Sequence, residues 1–223
     1  MLSQRVCLLA AGQGRRAGGP KAWASFGGRA LLERQVGFLT ALFDPKGVFI
    51  SIQQQWLERC LALSRDVRWV PVDPDLPAFG ALHGLLQAAG TFPLPAVPGA
   101  YEAPGAAGTF PLPAVPGAYE APGKAHTDEW AFVYHVDMPV WEKGLFESLS
   151  RAISEAGSAQ AVVPVRDGRG GHPVLLSPAF AGRVLTADPM GERLDSLLSR
   201  GPVHRVEVPF ACIHENWNEV IPP

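Results

Sequence analysis

Residues 6–21 have the sequence VCLLAAGQGRRAGGPK, in which a short apolar run passes directly into a loop of glycines and basic side chains. The apolar run has the length and composition of a buried strand, and the glycines disfavour its continuation as a helix. Small residues let backbone N–H groups approach a ligand closely, while arginine and lysine supply positive charge. The stretch therefore predicts a strand followed by a loop that binds phosphate groups.

The rest of the chain alternates between strand-like and helix-like segments. Runs rich in β-branched or aromatic residues predict strands at 6–10, 48–52, 67–72, 130–136, 161–165, 174–176 and 203–208. Apolar residues at i, i+3 and i+4 spacing predict helices at 30–43, 54–63, 79–89 and 141–156. This alternation predicts an α/β fold with an open, mostly parallel sheet and helices on both faces. Ligands of such sheets bind outside the carboxyl ends of the strands.

Length, composition and charge limit the possible function classes. The chain has 223 residues, of which 47% are hydrophobic and 18% are charged, so we expect a single domain over residues 1–223. The net charge of −2 gives no overall attraction to nucleic acid or to an anionic membrane, and neither is expected as a partner. The three cysteines are scattered and no apolar run reaches about 18 residues, which predicts a cytoplasmic location.

One segment interrupts the alternation of strands and helices. Residues 88–105 are repeated letter for letter as residues 106–123. Each copy carries four prolines and three glycines in 18 residues, a composition that disfavours both a helix and an inner strand. We interpret residues 88–123 as a loop insertion in the domain. A duplication in a tolerant surface loop accounts for it, and the alternative is a lid or a docking segment for a partner.

The neighbours of the glycine-rich loop exclude two common phosphate-binding motifs. A dinucleotide-binding motif opens a helix at once and is followed about 20 residues later by an acidic residue. Here Gly19 and Pro20 prevent an immediate helix, and the second predicted strand is followed by glutamines. A P-loop needs a Gly-Lys pair followed by Ser or Thr, but Pro20 precedes Lys21 and Ala22 follows it. A basic surface turn is the remaining alternative to a nucleotide-binding loop.

A carboxylate follows the predicted strand 130–136. The chain continues there as Asp137, Met138 and Pro139, at the sheet edge where the glycine-rich loop is also expected to emerge. Mg²⁺ prefers one or two carboxylates together with substrate phosphates and water, so Asp137 is the candidate metal ligand. Taken alone, an aspartate before a proline is also typical of a helix N-cap. We interpret His135 as a packed side chain rather than a ligand.

The string from Leu9 to Lys21 fits the pattern LAAGxGxRxGGxK and resembles the signature of the MobA-like nucleotidyltransferases. That family includes molybdenum cofactor guanylyltransferases and cytidylyltransferases. The string Val-Asp-Met-Pro around Asp137 resembles the metal-binding motif of the family. The resemblance implies a Rossmann-like sheet of the nucleotide-diphospho-sugar transferase type. It also implies a Mg²⁺-dependent enzyme that moves a nucleoside monophosphate from an NTP to a phosphorylated acceptor and releases pyrophosphate.

The same resemblance implies roles for individual residues. The nucleotide-binding residues would be Leu9, Ala10, Ala11, Gly12, Gly14, Arg16, Lys21, Asp73 and Gly80. Among them, Arg16 and Lys21 would stabilise the phosphates, and together with Asp137 they would form the catalytic set. Either Asp73 or Asp75 matches the acid that contacts the base, although an Asp-Pro-Asp sequence is also good turn chemistry.

The acceptor side is implied by weaker matches. His172 lies in a segment that resembles the His-Pro segment of the family, and Asn216 and Asn218 resemble the Asn-x-Asn element of its guanylyltransferases. These three residues are the candidate acceptor-binding residues. The chain departs from the family pattern at Ala81 and His83, where the family usually has Pro and Ala.

The combined motifs favour guanylyl transfer from GTP to molybdopterin. Three alternatives stay open at this stage. They are cytidylyl transfer from CTP to molybdopterin, transfer to a sugar phosphate or polyol phosphate, and a non-catalytic accessory protein that binds a nucleotide. The identity of the base and the oligomeric state do not follow from the sequence.

Overall fold

A mostly parallel sheet of eight strands organises residues 1–14, 19–90 and 130–217, the part of the chain that the computed structural model describes. In spatial order the sheet contains β10 (Val203–Glu207), β7 (Ala161–Arg166), β9 (Val174–Leu176), β6 (Ala131–His135), β1 (Arg5–Leu9), β4 (Val48–Gln53) and β5 (Arg68–Val72). The short strand β8 (Arg169–Gly170) pairs with β7. A separate hairpin joins β2 (Ser25–Phe26) to β3 (Arg29–Ala30).

Helices cover both faces of the sheet, and the buried side chains form one cluster on each face. One cluster includes side chains of α1 (Leu31–Leu42), α2 (Leu57–Leu63) and α4 (Lys143–Ala152). The other includes side chains of α3 (Ala78–Ala89), α5 (Pro178–Thr186) and α6 (Leu194–Leu198). Short 3₁₀ turns occur at Lys21–Trp23, Pro45–Gly47, Gln54–Trp56, Ile153–Glu155 and Ala211–His214. Within the described ranges, no helix is long and apolar enough to cross a membrane.

Strand β1 shows why the first apolar run is continuous. Val6 and Leu8 belong to the cluster on the α1 side, whereas Cys7 and Leu9 belong to the cluster on the α3 side. Successive side chains of a strand point to opposite faces, so a strand covered on both faces needs apolar residues at every position. The run Val-Cys-Leu-Leu therefore reflects a central parallel strand.

The order of the strands determines where a ligand can bind. β1 pairs in parallel with β4 on one side and with β6 on the other. The chain passes from β1 outward through β4 to β5 and then returns to β6 on the opposite side of β1. This reversal creates a crevice outside the carboxyl ends of the central strands, which is where open α/β sheets bind their ligands.

The structure confirms the predicted α/β class with an open, mostly parallel sheet. Strand β9 is an exception to the parallel arrangement, because it lies inside the sheet and runs antiparallel to both of its neighbours, β6 and β7. Helix α5 is absent from the predicted elements, although Ser177 caps it by accepting a hydrogen bond from the Phe180 N–H and Pro178 occupies its first turn. Helix α3 includes Ala88 and Ala89, the first residues of the duplicated segment, and residues 91–123 of that segment lie outside the described residues.

Four buried aromatic rings lie between β6, α1 and α4. The ring of Phe146 on α4 lies 5.6 Å from that of Phe43, 5.0 Å from that of Phe132 and 6.0 Å from that of Tyr134, all at steep interplanar angles. Edge-to-face pairs at such distances add to the stabilisation that comes from burial of the rings. Phe146 is therefore central to the packing that holds α4 against the sheet.

Replacing Phe146 by Ala removes this shared contact and leaves a cavity. We expect the free energy of unfolding to fall by about 3–5 kcal/mol, measured by urea denaturation. The matched control is Leu61→Ala on α2, because the Leu61 side chain is 41% exposed and its truncation should change stability by less than about 0.5 kcal/mol. A loss below about 1 kcal/mol for Phe146→Ala would contradict this account of the core.

Candidate functional site

A cleft of about 470 Å³ opens at the carboxyl ends of β1, β4, β5 and β6. It lies at the crevice that the strand order predicts. The residues that line it are Leu9, Ala11, Gly12, Gln13, Gly14, Lys21, Ser51, Asp73, Pro74, Asp75, Leu76, Ala78, Ala81, His135, Val136 and Asp137. The glycine-rich loop and the residues after β6 thus share one concave surface.

Two opposite charges meet in this cleft. The Lys21 Nζ lies 2.6 Å from the Asp137 Oδ2, and the two side chains are only 16% and 10% exposed. Lys21 opens a 3₁₀ turn after the glycine-rich loop, whereas Asp137 follows the end of β6. A charge-assisted hydrogen bond in a partly buried site is much less screened by salt than a surface pair. The contact therefore joins the two predicted motifs directly.

The turn that carries Lys21 is anchored by aromatic packing. The ring of Trp23 lies 5.7 Å from the ring of Trp56, which precedes α2. The guanidinium of Arg59 lies over the Trp23 ring, 3.9 Å from its centroid. Such a cation–π contact in a partly buried place stabilises the orientation of the indole. Trp23 thereby fixes the 3₁₀ turn, and with it the backbone position of Lys21.

The beginning of the glycine-rich loop is held by side chains of β4. The Ala10 N–H donates to the Ser51 Oγ at 3.1 Å, and the Gln53 Nε2 donates to the Ala11 carbonyl at 2.9 Å. Both β4 side chains are buried. These bonds replace the ladder contacts that β1 loses where it ends, and they leave the loop open toward the cleft.

Two further features shape the loop. Gly14 has a φ of +60°, and an added Cβ would overlap the Gly19 carbonyl oxygen, so only glycine fits this position. The Gln13 Nε2 donates to the Asp75 Oδ1 at 2.7 Å and to the Pro74 carbonyl at 3.0 Å. The loop after β1 is thus linked across the cleft to the loop after β5.

Two histidines form an edge-to-face pair beside the acidic residue, with ring centroids 6.4 Å apart. The sequence predicts His135 as a packed side chain, and it does pack against His172, but it also lines the cleft. Burial lowers the pKa of His135, and burial together with the neighbouring His135 lowers the pKa of His172 to about 4. Both imidazoles are therefore neutral at pH 7.

Most of the predicted nucleotide-binding residues come together. The predicted residues that line the cleft are Leu9, Ala11, Gly12, Gly14, Lys21, Asp73 and Asp137. Ala10 is buried beneath the loop, and Gly80 lies in α3, where an added Cβ would approach the Pro189 carbonyl and the Leu76 side chain. Arg16 lies outside the described residues.

Two of the three candidate acceptor-binding residues, His172 and Asn216, are described, and neither lines the cleft. His172 is behind His135, and its Nδ1 is buried without a hydrogen-bond partner in the described part of the chain. Asn216 is exposed, but its neighbour Trp217 donates its backbone N–H to the Asp137 carbonyl at 2.9 Å. Asn218 lies outside the described residues.

Several contacts of the site do not emerge from the sequence, although Asp75 is predicted there as a possible contact of the base. Ser51 and Gln53 support the loop, Gln13 and Asp75 link two loops, and His135 lines the cleft. One local signal exists, because Ser51 and Gln53 are polar residues at the end of an otherwise apolar strand. The remaining contacts depend on which strands become neighbours, and a single sequence does not show that.

The lowered pKa of His172 predicts a loss of stability in acid. The folded state favours neutral imidazole, so between pH 6.5 and about 4 the unfolded chain binds more protons and stability falls as the pH falls. The contribution is on the order of 3 kcal/mol over this window. Urea unfolding in EDTA at several pH values should show a flatter profile for His172→Gln than for the wild type. Parallel profiles would show that His172 is not the group responsible.

Comparisons with known proteins identify the family of the chain. A model of the MobA-like NTP transferase domain family matches residues 6–206. The chain has no significant match among curated protein sequences.

Solved structures with the same fold have low sequence identity to the chain. Molybdopterin-guanine dinucleotide biosynthesis protein A from Archaeoglobus fulgidus is 15% identical with a TM-score of 0.58, over 91% of this chain and 83% of that one. Rv0371c from Mycobacterium tuberculosis in complex with manganese is 14% identical with a TM-score of 0.61, over 97% and 96%. Bifunctional IspDF from Campylobacter jejuni is 12% identical with a TM-score of 0.63, over 96% and 52%.

At these identities the solved structures show the fold alone. The family model covers the chain from within β1 into β10. The glycine-rich loop, Lys21 and Asp137 all lie inside the matched range. The chain therefore belongs to the family of MobA-like NTP transferase domains and is a nucleotidyltransferase.

Proposed function

We propose that the protein is a cytoplasmic, Mg²⁺-dependent guanylyltransferase that transfers GMP from GTP to molybdopterin. The observation that carries the proposal is the contact of Lys21 with Asp137 in the cleft beside the glycine-rich loop. In a metal–triphosphate complex the phosphates are negative and the metal ion is positive. The Lys21 ammonium can bind the phosphates, and the Asp137 carboxylate can bind the metal. The choice of guanine rests on the resemblance of Asn216 and Asn218 to the guanylyltransferase element of the family.

The nucleotide would lie along the loop after β1. Gly12 and Gly14 line the cleft and carry no side chain that blocks the approach of a phosphate to the backbone N–H groups. Lys21 and Arg16 would hold the phosphate oxygens, and Asp73 would face the base. Because the overall charge of the chain is −2, this local arrangement must provide the attraction for the triphosphate.

The residues present fit a magnesium ion that is shared with the substrate. No group of three or more His, Cys, Asp or Glu side chains that could form a protein cage occurs among the described residues. Mg²⁺ is commonly held by one or two carboxylates while phosphate oxygens and water complete its coordination, so the Asp137 carboxylate in the cleft is a suitable ligand. When bound, the ion would neutralise negative charge on the phosphates as the transferred group changes partner.

When substrate binds, Lys21 and Asp137 would each gain a new partner of opposite charge, so neither charge would be left unpaired. In the free protein, Lys21 and Asp137 neutralise each other at 2.6 Å. In the complex, the ammonium would turn to phosphate oxygens and the carboxylate to the metal. A lone buried charge is strongly unfavourable, so a pair that separates only when both new partners arrive favours binding of the intact metal–nucleotide complex.

The reaction needs no side-chain nucleophile. The acceptor phosphate attacks the α-phosphorus of GTP, the bond from that phosphorus to the bridging oxygen breaks, and pyrophosphate leaves. Burial raises the pKa of Cys7 and of Cys60 to about 12, which keeps both thiols protonated and unreactive. Positioning and charge stabilisation by Lys21, Arg16 and Asp137 therefore account for the rate.

The acceptor would enter from the side of the two histidines. His172 is neutral at pH 7, and its Nδ1 is buried without a partner within the described residues, so a bond to a polar group of the acceptor would require the ring to turn toward the cleft. The backbone bond from Trp217 to Asp137 brings the segment that contains Asn216 close to Asp137. These contacts support a proposal in which molybdopterin lies between His172 and the segment before Asn218.

Replacing Asp137 by Asn should lower kcat for pyrophosphate release by at least about 100-fold, because the metal loses its protein ligand. The protein should stay folded, since asparagine keeps the size and the backbone contacts of the residue. The control is Asp195→Asn, which alters an exposed ion pair with Arg193 and should retain wild-type turnover.

The assay compares GTP, CTP and ATP, each with and without molybdopterin. The proposal expects turnover with GTP and molybdopterin together. Turnover with CTP alone among the nucleotides, or with a sugar phosphate in place of molybdopterin, would overturn the guanylyl assignment. Wild-type turnover by Asp137→Asn would remove this residue from the metal site.

A further inference from the structure

Gln35 is a completely buried polar side chain in the middle of α1. The other five buried residues of this helix, Leu31, Leu32, Val36, Leu39 and Leu42, are all apolar. Burying an amide costs free energy unless its hydrogen-bonding groups find partners, so an apolar residue would be the simpler choice for core packing alone. Core packing alone therefore does not explain a glutamine at this position.

Both the nitrogen and the oxygen of the Gln35 amide form hydrogen bonds. Its Nε2 donates to the Val136 carbonyl at 3.2 Å and to the Met138 carbonyl at 2.8 Å. Its Oε1 accepts a hydrogen bond from the Tyr134 hydroxyl at 3.1 Å. Burial raises the pKa of Tyr134, so the hydroxyl stays a donor. A flipped amide would point its oxygen at two carbonyl oxygens, and the orientation is therefore fixed by its neighbours.

The two carbonyls bonded by Gln35 flank Asp137. The Asp137 carbonyl between them accepts the Trp217 N–H at 2.9 Å. Three successive carbonyls just after the end of β6 thus receive hydrogen bonds from distant parts of the chain. Two backbone N–H bonds also hold this turn, from Val136 to Leu9 at 2.9 Å and from Met138 to His135 at 3.1 Å.

We propose that Gln35 is a positioning residue for the Asp137 carboxylate, through the two carbonyls that its amide bonds on either side of that residue. The inference rests on the proposed function, because it takes Asp137 as the metal ligand. Mg²⁺ demands near-ideal octahedral geometry, so a ligand on an unsupported turn after a strand end binds it less well. Outer groups that orient a ligand are typically worth about 10–100-fold in metal affinity.

The test measures Mn²⁺ binding to the protein–GTP complex by electron paramagnetic resonance, without an acceptor, so that no turnover is needed. Gln35→Met keeps the size of the side chain and removes all three hydrogen bonds. We expect Mn²⁺ affinity to fall by about 10-fold or more while GTP binding without metal changes less than about 2-fold. Tyr134→Phe removes only the hydroxyl that orients the amide, and a smaller loss of about 3-fold is expected.

Two further variants separate positioning from general destabilisation. Val36→Ala truncates the neighbouring buried residue of α1 without touching the amide, and it should lower Tm but keep wild-type Mn²⁺ affinity. Asp137→Asn should lose the Mn²⁺ affinity. An equal loss of affinity in Val36→Ala and Gln35→Met would reduce the role of Gln35 to fold stability and overturn the proposal.

The outcomes distinguish this inference from the proposed function. If Asp137→Asn loses Mn²⁺ and folded Gln35→Met binds it like the wild type, the positioning role is wrong and the metal site stands. If Asp137→Asn itself binds Mn²⁺ like the wild type, the proposed metal site is wrong and the positioning role falls with it. Should Gln35→Met fail to fold, Tyr134→Phe decides, and unchanged Mn²⁺ affinity in that variant overturns the proposal.

Discussion

Lys21 and Asp137 lie 116 residues apart in sequence and 2.6 Å apart in the cleft. For this contact to form, the loop after β1 and the turn after β6 must leave the same edge of the sheet on neighbouring strands. The parallel register of β1 with β6 meets that condition, since Leu9 pairs with His135. The rest of the site follows from it, because whatever fixes these two strand ends also fixes the distance between an ammonium and a carboxylate that line the same cleft.

The scaffold achieves this by burying the central strands on both faces and supporting each strand end with polar side chains from neighbouring elements. Ser51 and Gln53 hold the first loop, Gln35 and Tyr134 hold the turn around Asp137, and Trp23 holds the turn that carries Lys21. Except for Ser51, which itself lines the cleft, these side chains are not part of the cleft lining. A site built on such supports is preorganised, so little ordering remains to be done when a substrate binds.

Local sequence signals were sufficient for part of the structure. Continuous apolar runs gave the central strands, and the glycine-rich loop and Asp137 could be assigned to one sheet edge from strand direction alone. The strand at 174–176 was predicted, but its antiparallel direction was not, because nothing in its three residues specifies which neighbours it joins. Gln35 was also inaccessible to sequence reasoning: on α1 it follows the apolar periodicity, and its role exists only because β6 ends beside that helix. The roles of Arg16 and Asn218 stay predictions, since both lie outside the described residues.

The central claim is that a metal–nucleotide complex separates Lys21 from Asp137 and binds between them. A crystal structure of the protein with GTP and Mn²⁺, using the anomalous signal of manganese, tests it most directly. We expect an anomalous peak at coordination distance from an Asp137 carboxylate oxygen, with the Lys21 Nζ on a phosphate oxygen and the pair no longer at 2.6 Å. A nucleotide bound with its manganese elsewhere, and the Lys21–Asp137 contact intact, would contradict it.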